Sequence, residues 1–230
     1  MAPRQKARDS GTGVGSSISA RSQVYQLLAR TFAFPSEDFY RDVAQERWQE
    51  QVSQILPQLP FEPPPVGSNR VTVSPDEFQA EYNRLFEVGT LGGPPCPLYG
   101  GHYERDRQRV MEELIRFYDY FGLSLTPRQL PDHISVELEF MHYLTFKEAE
   151  ALQHNRPQDS YQRAQRDFLD RHPGKWLPLL RQKLANFQPL PFFDQLVTLA
   201  DEFVRRDRQY LKSVLNPSPF QRQALGEPEG

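Results

Sequence analysis

Residues 130–141 (LPDHISVELEFM) set the problem that the fold of this chain has to solve. Pro131 cannot extend a preceding helix and Asp132 is a favoured N-cap, so a new helix is expected over about residues 132–153. At about 100° of rotation per residue, Ile134, Leu138, Met141 and Thr145 fall on one narrow stripe. Val136, Phe140 and Tyr143 fall roughly opposite. His133 and Glu137 occupy one seam between the stripes, and Glu139 and His142 occupy the other. A helix that is apolar on two sides needs two packing partners, which places it in the middle of a helical assembly. Ionisable groups in such a position are costly unless they are paired or used. The seams are therefore where function is sought first.

Helical periodicity recurs elsewhere, and no segment alternates like a half-buried strand for more than a few residues. Ser17 is expected to cap a first helix carrying Val24, Tyr25, Leu27, Leu28 and Phe32, stopped by Pro35. Ser36 opens a second with Phe39, Val43, Trp48, Val52 and Ile55. Ser74, Pro75 and Glu77 form a strong helix start, an N-cap, an N1 proline and a capping-box acid. The helix they open carries Phe78, Tyr82, Leu85 and Phe86, with Gly89 placed to close it. Residues 89–101 (GTLGGPPCPLYGG) alternate fixed and permissive backbone, the mark of a shaped loop. A long helix follows with Val110, Leu114, Phe117 and Phe121 on one face and Gly122 at its end. Beyond the central helix come segments around 161–169, 176–187 and 192–215. The expected fold is all-α, one bundle of about eight helices over residues 17–215. A proline-rich connection lies at 57–70, and flexible tails are expected over 1–16 and 216–230.

Composition narrows the function. With 25% charged and 38% hydrophobic residues the chain reads as a soluble globular protein, and its formal net charge of −3 argues against general nucleic-acid binding. A lone cysteine, Cys96, excludes an intramolecular disulfide and fits a reducing compartment. No apolar run approaches membrane-spanning length, and the basic, Gly/Ser-rich N-terminus has no apolar segment behind it. A cytoplasmic protein is expected.

Metal chemistry has one foothold. Glu139 and His142 form an E-x-x-H, the spacing by which di-iron bundles aim two ligands at one centre. Such a site needs a second E-x-x-H, which the chain lacks. The alternative is that both residues simply make hydrogen bonds in their seam. Cys96 sits among prolines with only His102 nearby, an arrangement more often packing than nucleophile. There is no phosphate-binding loop, nucleophile elbow or dinucleotide fingerprint. Asp132 and His133 also have an ordinary reading, as a helix start that satisfies backbone N–H groups.

Taken together, Glu81-Tyr82-Asn83-Arg84-Leu85-Phe86, the loop Pro94-Pro95-Cys96-Pro97-Leu98-Tyr99 and Pro131-Asp132-His133-Ile134 followed by Glu137-Leu138-Glu139-Phe140-Met141 resemble the TorD-like redox-enzyme maturation chaperones. The resemblance covers roughly residues 20–215. Within that family it is most similar to chaperones of type II dimethyl-sulfoxide-reductase-like molybdoenzymes. It implies an all-helical cytoplasmic protein, monomer or dimer, that is not an enzyme and holds no cofactor. Such a protein binds the twin-arginine signal peptide of a molybdoenzyme catalytic subunit and delays export until the molybdenum cofactor is inserted. Direct contact with that cofactor or with a guanine nucleotide stays open.

Carried over by motif, the signal-peptide site would include Leu85, Phe86, Pro97, Tyr99, Asp132 and His133. The physics adds Glu137: a leader joins guanidinium groups to an apolar segment, so its binder needs carboxylates beside an apolar groove. Leu85, Phe86, Tyr99 and Phe140 are candidates for the groove, and Asp132, Glu137 and Glu81 for arginine. His133 beside Asp132 would tune that contact with pH. Where many family members carry Tyr-Glu-Ser, this chain has Tyr99-Gly100-Gly101, so one acid is missing.

Overall fold

The computed structural model describes residues 6–216, apart from 68, 69, 89–91 and 128. Among the described residues there are nine α-helices and no strand: α1 (Lys6–Thr31), α2 (Glu37–Ala44), α3 (Arg47–Ile55), α4 (Pro75–Tyr82), α5 (Arg107–Tyr120), α6 (Ile134–Gln153), α7 (Asp159–Arg171), α8 (Pro173–Leu184) and α9 (Pro191–Leu215). Short 3₁₀ turns extend α3 and α8, and another covers Gly100–Tyr103. No described helix is long and apolar enough to cross a membrane. The expected all-α bundle is what forms. Gly89, most of the C-terminal tail and the first residues of the N-terminal tail lie outside the described residues.

Local chemistry explains most boundaries. Ser74 and Glu77 make the reciprocal capping box, with Ser74 N–H donating to Glu77 Oε2 at 2.8 Å and Glu77 N–H to Ser74 Oγ at 3.3 Å. Asp106 caps α5 by accepting from Arg109 N–H at 3.0 Å, and Gly122, at φ 71°, closes its far end. α4 widens into a π turn over Asn83–Glu87, sealed by Val88 N–H to Asn83 O at 2.9 Å, and both Leu85 and Phe86 are buried there.

Three expectations are corrected. Ser17 caps nothing: α1 already begins at Lys6, inside the expected tail, and the Ser17 hydroxyl donates to Val14 O at 2.9 Å. The second predicted helix is two, α2 and α3, because Glu46 adopts a left-handed φ of 61° that turns the chain. The central helix α6 is capped by His133, whose Nδ1 accepts from Ser135 N–H at 3.2 Å, and not by Asp132.

α6 is the central element. It packs along α1 and against α7 and α8. Ile134, Leu138, Met141 and Thr145 are buried on one side, and Val136 and Phe140 on the other. One part of the core is an aromatic cluster: Phe78 stacks on Phe193 with ring centroids 4.8 Å apart, and Tyr82, Phe86, Phe192 and Trp48 close round them. One polar cluster lies inside it. Buried Arg21 of α1 donates from Nε to Asp207 Oδ1 (2.5 Å) of α9 and from a terminal nitrogen to Glu148 Oε2 (3.0 Å) of α6, and it also donates to Gln165 of α7. The Tyr25 hydroxyl adds a 2.6 Å bond to Asp207 Oδ2. Each charge is answered, as burial demands.

Candidate functional site

The Pro/Gly loop is pinned on both sides. Cys96 N–H donates to Leu85 O at 2.9 Å, Ile134 N–H to Leu98 O at 2.8 Å and Gly100 N–H to Asp132 O at 2.7 Å, so Tyr99 and His133 lie opposite one another as a single antiparallel bridge. The Tyr103 hydroxyl donates to Pro97 O at 3.0 Å, and its ring stacks on Trp176 of α8 with centroids 5.3 Å apart. Proline-set φ and these bonds hold the turn at 100–103 directly on the start of α6.

Two carboxylates lie beneath that turn, both fully buried. Asp132 Oδ2 accepts from Gly101 N–H at 3.2 Å and pairs with Arg107 Nε at 3.3 Å, while Oδ1 has no hydrogen-bond partner. Glu137 Oε2 accepts from the Trp176 indole N–H at 3.0 Å, and Oε1 has no partner. Burial, reinforced by the neighbouring Asp132, holds the Glu137 carboxyl well above the usual carboxylate range, which favours its neutral form. A Cβ at position 100 would sit 2.7 Å from Trp176 Nε1 and 3.0 Å from Glu137 Oε1, and one at 101 would collide with Arg107 and Asp132. The glycines are thus required by close approach. The space a side chain at 100 would fill is taken by Glu137 and Trp176.

Arg107, the first residue of α5, donates to His102 Nε2 at 3.2 Å and places its guanidinium 5.9 Å from the Tyr99 ring centroid. On another side Tyr99 meets His133 with ring centroids 4.9 Å apart. There a cleft of about 300 Å³ opens, lined by Ala33, Tyr99, Leu130, His133, Val136 and Glu139 among others. Gln129, Val136 and Glu139 also line a second cleft of about 200 Å³, walled by Tyr118, Leu123, Leu125, Phe140 and Tyr143. A larger groove of about 910 Å³ between α5 and α7 shares no residue with this cluster.

Of the sequence-predicted residues, Tyr99, Asp132, His133 and Glu137 come together, with Pro97 buried behind them. Tyr99 and His133 are half-buried and line the cleft; Asp132 and Glu137 are covered by the 100–103 turn. Leu85 and Phe86 do not line it. They are fully buried in the aromatic core, and Leu85 O accepts from Cys96 N–H of the loop. Glu81 is engaged by Arg84 at 2.6 Å and by Leu190 N–H at 3.1 Å, so it is not free for a ligand. His133 is no pH sensor near neutrality: burial lowers it to about 4, and its Nδ1 is committed to the helix cap.

The E-x-x-H residues part company. His142 Nδ1 meets Ser22 Oγ of α1 at 2.8 Å, whereas Glu139 is exposed on the cleft. Among the described residues no three ligand-type side chains converge. Cys96 is buried and its thiol is pushed up to about 11, the wrong direction for a nucleophile. Arg107 and Trp176 are site residues that motif reading missed. The signal for Trp176 was available, since a buried indole N–H needs an acceptor. Nothing in the sequence joined Arg107 to Asp132.

A family model described as nitrate reductase delta subunit matches residues 42–182, and the chain belongs to this family. A perchlorate reductase assembly chaperone protein from Dechloromonas aromatica (strain RCB) is 36% identical over 207 residues, 86% of this chain and 92% of that one. A chlorate reductase assembly chaperone protein from Ideonella dechloratans is 34% identical over 169 residues, 72% and 77% of the two chains. A selenate reductase assembly chaperone protein from Thauera selenatis is 40% identical over 113 residues, 47% and 58%.

Proposed function

We propose that this protein is a cytoplasmic, system-specific chaperone for the catalytic subunit of a molybdenum-containing oxidoreductase. It binds the twin-arginine leader of that precursor and delays export until the cofactor is in place. The observation that carries this reading is the juxtaposition, around Tyr99, of a buried carboxylate and a cleft with one apolar wall. Asp132 offers negative charge to a guanidinium, and the cleft beside His133 offers Leu130, Val136 and Tyr99 to the apolar part of a leader. Relatives named as assembly chaperones of perchlorate, chlorate and selenate reductases support the client class.

The test is co-purification with a leader-bearing molybdoenzyme precursor. Capture is expected, and it is expected to disappear when the leader is deleted. Leu130 is 43% exposed on the cleft, so Leu130→Glu is expected to fold normally. Because the leader's apolar segment would have to desolvate that carboxylate on docking, it is expected to weaken leader binding about tenfold, about 1.4 kcal/mol. Capture that is indifferent to both changes would remove the cleft from consideration.

A further inference from the structure

Resting on that reading, the geometry points to Arg107 as a built-in stand-in for the leader's arginine, a contact that must open before the ligand's guanidinium reaches Asp132. Asp132 is fully buried, yet the cation paired with it is 42% exposed and comes from the rim. The pair is loose: Nε lies 3.3 Å from Oδ2, while Oδ1 has no hydrogen-bond partner, where guanidinium and carboxylate otherwise form a two-pronged pair. Helix stability does not account for it either, because Arg107 is the first residue of α5, the end where a cation is disfavoured. Its guanidinium is steadied by the Tyr99 ring and by His102 Nε2, the same aromatic that lines the cleft. A guanidinium arriving along Tyr99 meets this one already in place. Arg107 can swing into solvent without unfolding α5, because its side chain is at the rim.

Such a stand-in lowers apparent affinity by the fraction of molecules in which it is closed. The probe is a fluorescently labelled synthetic peptide with an Arg-Arg pair followed by an apolar run, titrated into the full chain. A control peptide carries Gln-Gln instead. Arg107→Gln is expected to bind the Arg-Arg peptide about threefold to tenfold more tightly, with no change for Gln-Gln. Arg107→Lys keeps the charge but loses the Nε contact and the planar stack, and is expected to gain about twofold. If the native protein prefers Arg-Arg but neither variant gains, the stand-in is refuted and the leader-binding reading survives. If the native protein does not distinguish the two peptides, both fall. Should Arg107→Gln fail to fold, Arg107→Lys decides alone, and equal or weaker binding refutes the proposal.

Discussion

At the residue scale, Glu137 is where burial and charge pull hardest against each other. It is fully buried with the Trp176 indole as donor, and burial raises its carboxyl above the ordinary value of 4.5, so the folded state holds that proton more tightly than the unfolded chain does. Stability therefore falls as pH rises from there toward the folded-state value, by at most about 1.4 kcal/mol per pH unit. Glu137→Gln keeps an acceptor for Trp176 and removes that slope. Urea midpoints at about pH 5 and about pH 8 are expected to shift in the variant's favour at the higher pH. Equal shifts would mean Glu137 is ionised in the folded protein. Gly100 supplies the second residue-scale prediction: Gly100→Ala drives a methyl into Trp176 and Glu137 and is expected to cost about 1–3 kcal/mol by denaturant titration. Neither effect was legible beforehand, since both depend on what packs over the start of α6.

At the element scale, helix extents followed from caps and apolar spacing, whereas breaks and cross-links did not. Glu46 splits what the sequence reading joined, and a trace of the break was present: at about 100° per residue Trp48 and Val52 fall roughly opposite Phe39 and Val43, out of register for one continuous helix. A left-handed non-glycine residue is strained, so Glu46→Gly is expected to raise stability by up to about 1 kcal/mol in a thermal melt. Arg21 ties α1 to α6, α7 and α9. A trace of this was readable, because Arg21 shares a helix face with Val24, Tyr25 and Leu28, where a cation would be stranded without partners. Arg21→Met leaves Asp207 and Glu148 buried without their cation and is expected to cost about 3–5 kcal/mol, part of which Asp207→Asn should recover in a double-mutant cycle. Simple additivity would show that the network is not coupled.

At the scale of the whole molecule, two desolvated histidines, half-buried His133 and buried His172, weaken the fold in acid. Burial lowers His133 to about 4 and His172 to about 3, both from 6.5. Each prefers its neutral form when folded, so each contributes stability that is complete above pH 6.5 and is lost as pH falls toward those values. The Glu137 proton acts in the opposite direction. Measured by urea titration across pH, His133→Asn, which retains a capping side chain, is expected to flatten the acid limb, and His133→Asn with His172→Gln to flatten it further. The same positions show what the motifs delivered. Asp132, His133, Glu137 and Tyr99 were named together and do cluster, but Leu85 and Phe86 turned out to be core.

By themselves, the residues determined the approximate positions of eight helical segments, one of which is broken in two, the double-sided burial of α6 and a shaped loop before α5. Prolines, capping side chains and apolar spacing act over a few positions and need no distant partner. Only the tertiary structure decided which side chains meet: Arg21 with Asp207, 186 positions apart, Glu137 with Trp176, 39 apart, and Gly101 with Asp132, 31 apart. Those meetings fix which carboxylates are charged and which cation covers them. Packing between remote segments controls both, and no local spacing along the chain records it.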